Sequence, residues 1–283
     1  MIPSLSGIHF LVTYGCSAEC DHCFIWGTPR RQAHMALDRI DVFLDEAVAL
    51  GTVTGVCAEG GESFLYYDAV LRLARGATAR GLTPSALTNA FWATSREITE
   101  RRVAELVGAG LKSLGVSTDE WHRQVVPAGQ VDLLLEVCAA AGLAANRMET
   151  CLEGVMFRGR AAVRMAPGAP TRPADSFTTC PHEKLDAPAR LHLDCYGRLH
   201  VCQGLVLGPG SITEACAAYD PATHPIVSRL LNGGPYALAR WAAERGYELQ
   251  PGYADACHLC YSARAFLRPQ FPDLLGPDEM YGE

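Results

Sequence analysis

The sequence predicts an α/β protein in which parallel strands alternate with helices, and two observations carry this prediction. Short apolar or alternating runs recur along residues 1–155, and most are followed by a segment with apolar residues at helical spacing. A glycine ends most of these helical segments, as glycine commonly does at helix C-termini. Such an alternation is typical of parallel βα units, so functional side chains are expected at the carboxyl ends of the strands.

The composition is that of a globular protein, large enough for one large domain or for one domain and a smaller second one. The chain has 283 residues, of which 49% are hydrophobic and 19% charged. Its net charge of −7 argues against a general nucleic-acid binder, which would need a basic face. There are twelve cysteines, no signal peptide is recognised at the N-terminus, and no apolar run is long enough to span a membrane. These features predict a cytoplasmic protein whose thiols serve metal–sulfur chemistry.

The first predicted strand, residues 8–12, leads into a loop that carries three cysteines. Cys16, Cys20 and Cys23 have the spacing C-x3-C-x2-C. Three thiolates in so short a loop can hold three corners of a cubane iron–sulfur cluster, which leaves the fourth iron free to bind an amine and a carboxylate. One alternative is zinc, although structural zinc usually has four ligands on paired C-x2-C arms. A disulfide is the other alternative, but nothing in the sequence indicates secretion.

The rest of the N-terminal half continues the alternation in order. A helix is predicted over residues 37–50, ending at Gly51, and a second strand over residues 53–57 leads to Glu59-Gly60-Gly61-Glu62. Further helices are predicted at residues 67–80, 97–109 and 131–141. Further strands are predicted at residues 84–88, 113–117 and 146–155.

The cysteine loop after a strand, together with Gly60-Gly61-Glu62 at the end of the second strand, resembles the radical S-adenosylmethionine (SAM) superfamily. In that family the free iron binds the amino and carboxylate groups of SAM. An electron from the cluster then cleaves a sulfonium C–S bond, and the resulting 5′-deoxyadenosyl radical abstracts hydrogen. The two glycines lack the Cβ atoms that would block the approach of SAM to the backbone. Ser63 departs from the family pattern, in which many members have proline.

The resemblance implies a partial (βα) barrel that is open on one side, formed by residues 1–165. No sixth barrel strand is recognised in the sequence. In the family, an aromatic ring between the second and third cysteines packs near the adenine, and His22 has that position here. Candidate SAM contacts are therefore His22, Gly60, Gly61, Glu62, Asn89, Ser117 and Arg158.

Two groups of polar residues are candidates for binding the substrate. Asp119 and His122 follow the fourth strand and would face the mouth of the barrel, although Asp119 could instead cap a turn. The predicted fifth strand carries polar residues at alternate positions: Arg147, Glu149, Cys151 and Glu153. Because the outer face of a barrel packs on helices, this polar face is predicted to line the lumen. The alternative is a solvated face at the open edge of the barrel. Arg158 and Arg160 follow and could meet a carboxylate.

The C-terminal part, residues 166–283, is predicted to be a second domain after a proline-rich linker. Residues 190–202 predict a β-hairpin with its turn at Tyr196-Gly197. Four cysteines follow the order found in the auxiliary-cluster domains called SPASM and twitch: Cys180, Cys202, Cys257 and Cys260. No cysteine follows Cys260, so the set resembles the shorter twitch form, which holds one additional cluster. Zinc is the alternative at these four residues, and Cys195 could replace one of them.

These resemblances imply an enzyme of the oxidoreductase or isomerase type with two 4Fe-4S clusters and SAM as cofactors. The leading hypothesis is hydrogen abstraction from a polar small molecule of a biosynthetic pathway, giving dehydrogenation or epimerisation, as in sugar and aminocyclitol alcohol dehydrogenases. One alternative is a maturase that installs thioether or carbon cross-links in a precursor peptide. A non-enzymatic iron–sulfur or zinc protein is the other. The expected partners are the substrate and an electron donor such as flavodoxin or ferredoxin, without membrane or general nucleic-acid binding.

Two cysteines outside the ligand sets, Cys195 and Cys151, are candidate hydrogen donors. A radical epimerase must return a hydrogen atom to the opposite face of the substrate carbon, and a thiol is a good donor. A dehydrogenase needs no donor, because the substrate radical loses an electron and a proton instead. The plain alternative is that both cysteines are small apolar side chains.

Overall fold

The computed structural model, which describes residues 2–283, contains one sheet of eight strands in the order β5-β4-β3-β2-β1-β6-β7-β8. The strands are β1 (Gly7–Thr13), β2 (Gly55–Gly60), β3 (Thr83–Thr88), β4 (Ser113–Ser117), β5 (Ala144–Met148), β6 (Arg190–Leu193), β7 (Leu199–Cys202) and β8 (Leu205–Val206). β1 to β6 run parallel, and β7 and β8 are antiparallel to their neighbours. Because β5 and β8 do not pair with each other, the sheet stays open. The predicted α/β class is confirmed.

Helices connect the parallel strands as the alternation predicts. They are α1 (Leu37–Ala49), α2 (Tyr67–Ala79), α3 (Arg96–Gly108), α4 (Glu120–Arg123), α5 (Ala128–Ala140), α6 (Arg160–Arg164), α7 (Ile212–Ala218), α8 (Val227–Ala243) and α9 (Ala256–Leu267). The chain leaves α1 and α2 through Gly51 and Gly81, whose φ angles of 73° and 74° favour glycine. α8 is interrupted by non-helical backbone at Gly233 and Gly234. Among the described helices, none has both the length and the apolar character needed to cross a bilayer.

β1 is the central strand of the sheet. Gly7 lies opposite Gly55 of β2 on one side and opposite Arg190 of β6 on the other. Ile8 and Phe10 have no exposed surface, and neither do the two residues that follow, Leu11 and Val12. A strand between two parallel neighbours reads as an apolar run, which is why this one is recognisable from sequence. It also fixes the start of the cysteine loop, which follows at its carboxyl end.

β6 is a sixth parallel strand of the sheet, which the sequence predicted only as one arm of a hairpin. The predicted hairpin is confirmed, because His192 of β6 lies opposite His200 of the antiparallel β7. The other edge of β6 pairs with β1, which was not predicted. A strand of four residues that follows a proline-rich segment does not show the βα alternation on which the prediction relied. The division of the chain near residue 165 stays a prediction.

Candidate active site

A cleft of about 260 Å³ lies at the carboxyl ends of the parallel strands. It brings together many of the predicted site residues, namely Cys16, Cys20, His22, Cys23, Gly60, Gly61, Glu62, Asn89, Ser117, Asp119 and His122. These residues follow different strands and are far apart in the chain. Their convergence is what a parallel sheet produces, because its strands end at the same edge.

Arg160 of α6 holds the cysteine loop in place through its backbone. This buried guanidinium donates hydrogen bonds to the carbonyl oxygens of Cys20, at 2.8 Å, and Gly27, at 2.7 Å. Backbone N–H groups also donate to sulfur, from Ala18 to Cys16 Sγ at 3.4 Å and from Gly27 to Cys23 Sγ at 3.2 Å. These contacts fix the shape of the loop, and its sulfurs have N–H donors of the kind that stabilise thiolates.

Gly60 and Gly61 permit a close approach between the ends of β1 and β2. A Cβ atom on Gly60 would lie 2.5 Å from the carbonyl oxygen of Thr13, and one on Gly61 would lie 2.0 Å from that of Gly15. The N–H of Gly61 donates to the Thr13 oxygen at 2.7 Å, and the N–H of Glu62 to the Gly15 oxygen at 2.8 Å. The glycine pair thus has a structural reason beyond access for SAM, because no side chain fits beside the backbone before Cys16.

The Glu62 carboxylate joins the end of β2 to the end of β3. It accepts hydrogen bonds from the N–H of Phe64 at 3.1 Å, the hydroxyl of Thr88 at 2.9 Å and the N–H of Asn89 at 2.6 Å. Burial raises the pKa of Glu62 to about 7, although these three donors oppose the rise. The Asn89 amide continues the chain of bonds by donating to the Ser17 hydroxyl at 2.9 Å. Glu62 and Asn89 therefore anchor the wall of the cleft to the cysteine loop.

His22, Asp119 and His122 form a polar group beside the cysteines. Asp119 Oδ1 lies 2.8 Å from His122 Nδ1 and accepts from the His122 N–H at 3.2 Å, so Asp119 both caps α4 and lies in the cleft. Burial lowers the pKa of His122, but Asp119 and Cys20 outweigh burial and raise it to about 10. Burial lowers the pKa of His22 to about 4. Burial thus favours the neutral form of His22, whereas Asp119 favours the charged form of His122.

A second polar group, formed by His9, Glu59 and His192, was missed by the sequence analysis. Glu59 lines the cleft, and its two oxygens lie 2.8 Å from His9 Nδ1 and 2.5 Å from His192 Nδ1. Burial raises the pKa of Glu59, but the two imidazoles more than offset this and lower it below its usual range. His9 and His192 are register partners on β1 and β6. From the sequence, this group could be found only by someone who already knew that β6 pairs with β1.

The side chains after β5 face the opposite way from the prediction. Met148 and Thr150 line the cleft, whereas Glu149, Glu153 and Cys151 are exposed outside it. β5 ends at Met148 and is one of the two edge strands of the sheet. Its outer side meets solvent, where Arg147 forms an ion pair with Asp132 of α5. The assumption that this side must be apolar was therefore wrong, and so was the inward placement of Glu149 and Glu153.

A second, smaller pocket is lined by Cys180, Cys202, Cys257 and Cys260. Cys202 ends β7, Cys257 and Cys260 lie in the first turns of α9, and burial raises the pKa of the Cys260 thiol to about 12. Arg158 lines this pocket rather than the cleft, and its Nη1 lies 3.2 Å from Cys202 Sγ. The prediction that Arg158 contacts SAM is thus corrected, because Arg158 lies against the second set of cysteines.

Cys195 belongs to neither pocket. It follows Asp194 in the turn of the β6–β7 hairpin, where burial raises its pKa to about 12. A hydrogen donor must reach a substrate radical in the cleft, and neither Cys195 nor Cys151 lines it. The structure therefore does not bring either candidate donor to the cleft.

Both sets of cysteines have donor chemistry that fits iron–sulfur clusters. The cleft offers three sulfurs and a free space in front of them, as a cluster with one open iron requires. The second pocket offers four sulfurs beside two buried arginines, Arg158 and Arg264, whose Nε atoms have no hydrogen-bond partner. Buried cations need an anionic counterpart, which metal-bound thiolates would supply.

Comparisons with known proteins agree with this arrangement. The sequence model of the Radical SAM superfamily matches residues 10–160, just over half of the chain. The structure is similar to that of BtrN in complex with AdoMet and 2-DOIA, with a TM-score of 0.50 and 14% identity over 81% of this chain and 88% of BtrN. This likeness shows the fold alone, and with it the partial barrel is confirmed.

Two further structures match less well. BtrN in an open conformation has a TM-score of 0.46 and 12% identity over 81% of this chain and 86% of that one. Native anSMEcpe with bound AdoMet has a TM-score of 0.38 and 15% identity over 50% of this chain and 43% of that one. No curated protein matches the sequence.

Proposed function

The chain belongs to the radical SAM superfamily, and on that premise we propose that it cleaves SAM reductively and abstracts a hydrogen atom from a polar small molecule. The observation that carries the proposal is the shared cleft of Cys16, Cys20 and Cys23 with the Gly60-Gly61-Glu62 segment. A thiolate-bound cluster next to a glycine-lined wall is what a chelated SAM requires.

The first set of cysteines would hold the SAM-binding cluster, which supplies the electron that cleaves SAM. Around it, this chain's residues bind and orient the cofactor. Glu62, Asn89 and Ser117 line the cleft at the ends of three neighbouring strands, within reach of one bound molecule. The carboxylate of Glu62 is suited to binding the ammonium group of SAM. The amide of Asn89 and the hydroxyl of Ser117 are suited to hydrogen bonds with the carboxylate or the ribose of SAM.

The walls of the cleft would also protect a reactive radical. Ile25, Leu87, Met148 and Val155 supply apolar surface around the polar groups. An apolar wall keeps water away from the reacting carbon, and a fixed geometry holds that carbon against the radical. These contributions of the protein matter because the cofactor itself carries out the difficult chemistry.

The polarity of the cleft supports a small polar substrate without phosphate groups. Glu59, Glu62 and Asp119 place three carboxyl groups along its walls. In the described part of the chain, its lining includes neither lysine nor arginine, the residues that commonly bind phosphate. We propose dehydrogenation or epimerisation of such a substrate, with a flavodoxin-like or ferredoxin-like carrier as the electron source.

The second set of cysteines would hold an auxiliary 4Fe-4S cluster in a twitch-like domain. Support comes from one pocket that brings together three distant parts of the chain, namely Cys180, Cys202 and the pair Cys257 and Cys260. Zinc is the competing occupant, because C-x2-C arms also suit it.

The decisive experiment is SAM cleavage by the anaerobically reconstituted and chemically reduced protein. We expect slow formation of 5′-deoxyadenosine and methionine without substrate, and none from Cys16→Ala. Cys216→Ala, which removes a buried thiol of α7 outside both sets, is the matched control and should retain the reaction. Formation of S-adenosylhomocysteine instead would indicate methyl transfer and contradict the proposal.

A further inference from the structure

Two arginines are buried beside the second set of cysteines. Arg158 precedes α6 and is 5% exposed, while Arg264 lies in α9 and is 1% exposed. Both line the same pocket as the four sulfurs. Arg158 Nη1 lies 3.2 Å from Cys202 Sγ, and Arg264 follows Cys260 by one helical turn. Two guanidinium groups thus approach the sulfurs from two different parts of the fold.

The surrounding protein compensates these charges poorly. In the described part of the chain, the only carboxylate within ion-pair distance of Arg158 is that of Glu183, at 3.8 Å. Glu183 also lies 3.8 Å from the exposed Arg190. Arg264 donates to the carbonyl oxygen of Gln203 at 2.9 Å, and among residues 2–283 no carboxylate pairs with it. The Nε atoms of both arginines are buried without a hydrogen-bond partner. An uncompensated buried charge is strongly unfavourable, so the sulfurs must supply negative charge.

The charges balance if the four sulfurs are thiolates around a divalent centre. Four thiolates and an oxidised [4Fe-4S]²⁺ core sum to −2, which the two guanidinium groups neutralise. Adding one electron lowers the charge of the core to +1, so the core and its four thiolates together carry −3 before the charges of the arginines are counted. Fixed positive charges nearby stabilise this more negative state over the oxidised one. Low dielectric at a buried site strengthens the effect.

We propose that Arg158 and Arg264 raise the reduction potential of the auxiliary cluster and thereby equip it to accept an electron from the substrate. The proposal rests on the auxiliary cluster of the proposed function and deepens it. After hydrogen abstraction, a substrate radical at a carbon that bears a hydroxyl group would lose one electron to the auxiliary cluster and its hydroxyl proton to a carboxylate that lines the cleft. Its C–O bond would become C=O, and the electron would take the cluster core from a charge of +2 to +1. The two arginines therefore favour dehydrogenation over epimerisation.

Potentiometric titration of the reconstituted protein, monitored by electron paramagnetic resonance, tests the proposal. We expect a lower midpoint potential of the auxiliary cluster in Arg158→Gln and Arg264→Gln, and an unchanged potential of the SAM-binding cluster. Arg158→Lys and Arg264→Lys keep the charge and should stay closer to the unsubstituted protein. Arg190→Gln removes an exposed arginine that faces the same Glu183 and should have no effect. An unchanged auxiliary potential in both glutamine variants would overturn the proposal.

Glu183→Gln tests the same charge effect if the arginine variants lose the cluster. This change removes the negative charge near Arg158 without altering any cysteine, so the auxiliary potential should rise. A fall or no change would contradict the charge argument.

Metal analysis distinguishes a failure of this proposal from a failure of the proposed SAM cleavage. Stoichiometric zinc with only one cluster per chain would overturn the role of the arginines, yet SAM cleavage would remain. Loss of SAM cleavage with both clusters present would instead count against the proposed function.

Discussion

Arg160 donates a hydrogen bond of 2.8 Å to the carbonyl oxygen of Cys20, which lies 140 positions earlier in the chain. Its second nitrogen reaches Gly27 on the far side of the cysteine loop. One side chain therefore holds both arms of the loop. The loop follows β1, whereas Arg160 follows β5. Its planar fork of donors makes this double contact possible, and lysine could not reproduce it.

Arg160→Met should destabilise the protein and impair binding of iron at the first set of cysteines. Two hydrogen bonds from a charged donor are lost, and at about 1.5 kcal/mol each the free energy of unfolding should fall by about 3 kcal/mol. Anaerobic urea unfolding and iron analysis measure the two effects. Arg164→Met, on the exposed side of the same helix, is the control and should change stability by less than about 0.5 kcal/mol. Equal effects of the two variants would contradict the assigned contacts.

Gly61→Ala should be far more disruptive than alanine at a glycine with free space. The new methyl group would lie 2.0 Å from the backbone oxygen of Gly15, so the strand ends must separate, which costs about 3 kcal/mol or more. Gly129→Ala in α5 has nothing within 4 Å of its Cβ position and should stabilise the helix by about 0.5 kcal/mol. Thermal unfolding of both variants checks the contrast. Similar melting temperatures would show that the two strand ends can move apart freely.

SAM affinity should depend on pH through Glu62. Burial raises the pKa of Glu62 from 4.5 to about 7, so the carboxylate predominates only above that pH. The ammonium group of SAM favours the carboxylate, and binding below pH 7 must therefore release a proton. Affinity should fall about tenfold per pH unit below 7, as proton linkage requires. Equilibrium dialysis between pH 6 and 8 measures this fall.

Two variants make the pH test specific. Glu62→Gln should bind SAM more weakly at pH 8 and lose the pH dependence. Glu149→Gln, which alters an exposed carboxylate outside the cleft, should behave like the unsubstituted protein. Affinity that stays constant from pH 6 to 8 in the unsubstituted protein would exclude a contact between Glu62 and the ammonium group.

The iron content should divide between the two sets of cysteines. Anaerobic reconstitution should give about eight irons per chain, from two cubane clusters of four. Replacing Cys16, Cys20 and Cys23 together with alanine should leave about half of this iron. If the triple variant keeps all of its iron, the first site is assigned to the wrong residues.

Cys195→Ala and Cys151→Ala should not change the reaction product. Neither thiol lines the cleft, so neither is placed to return hydrogen to a substrate radical. The measurement is the incorporation of deuterium into substrate or product in heavy water, once the substrate is known. A two-electron-oxidised product at ordinary rates from both variants agrees with dehydrogenation. Deuterium at one carbon that disappears in either variant would show a thiol donor and select epimerisation.

Local sequence patterns predicted those parts of the site that depend on consecutive residues. The loop from Cys16 to Cys23 and the Gly60-Gly61-Glu62 segment each follow a buried strand directly, so their position at the carboxyl edge followed from the alternation. The orientation of the side chains around Met148 could not be predicted in the same way. It depends on whether the strand is covered on both sides, and the sequence does not say that β5 is an edge.

Long-range pairing limited the rest of the prediction. Glu59 meets His192 only because β6 lies beside β1, and no local pattern marks a four-residue strand as the neighbour of the first one. Arg158 shows the same limit in a different form. Its position after β5 suggested the cleft, but a turn of the chain directs its side chain to Cys202 instead.

The pairing of β1 with β6 also has a consequence for biosynthesis. Ser6 and Ala189 are 183 positions apart yet hydrogen-bonded, so the strand made first waits for a neighbour that leaves the ribosome much later. Until then one edge of the nascent β1 presents unpaired backbone groups, which are prone to misassociation. Arg160, which shapes the cysteine loop, is translated 140 positions after Cys20. The cysteine loop can therefore take its final shape only after residue 160 has been made, and the central strand is paired on both sides only after β6 has been made.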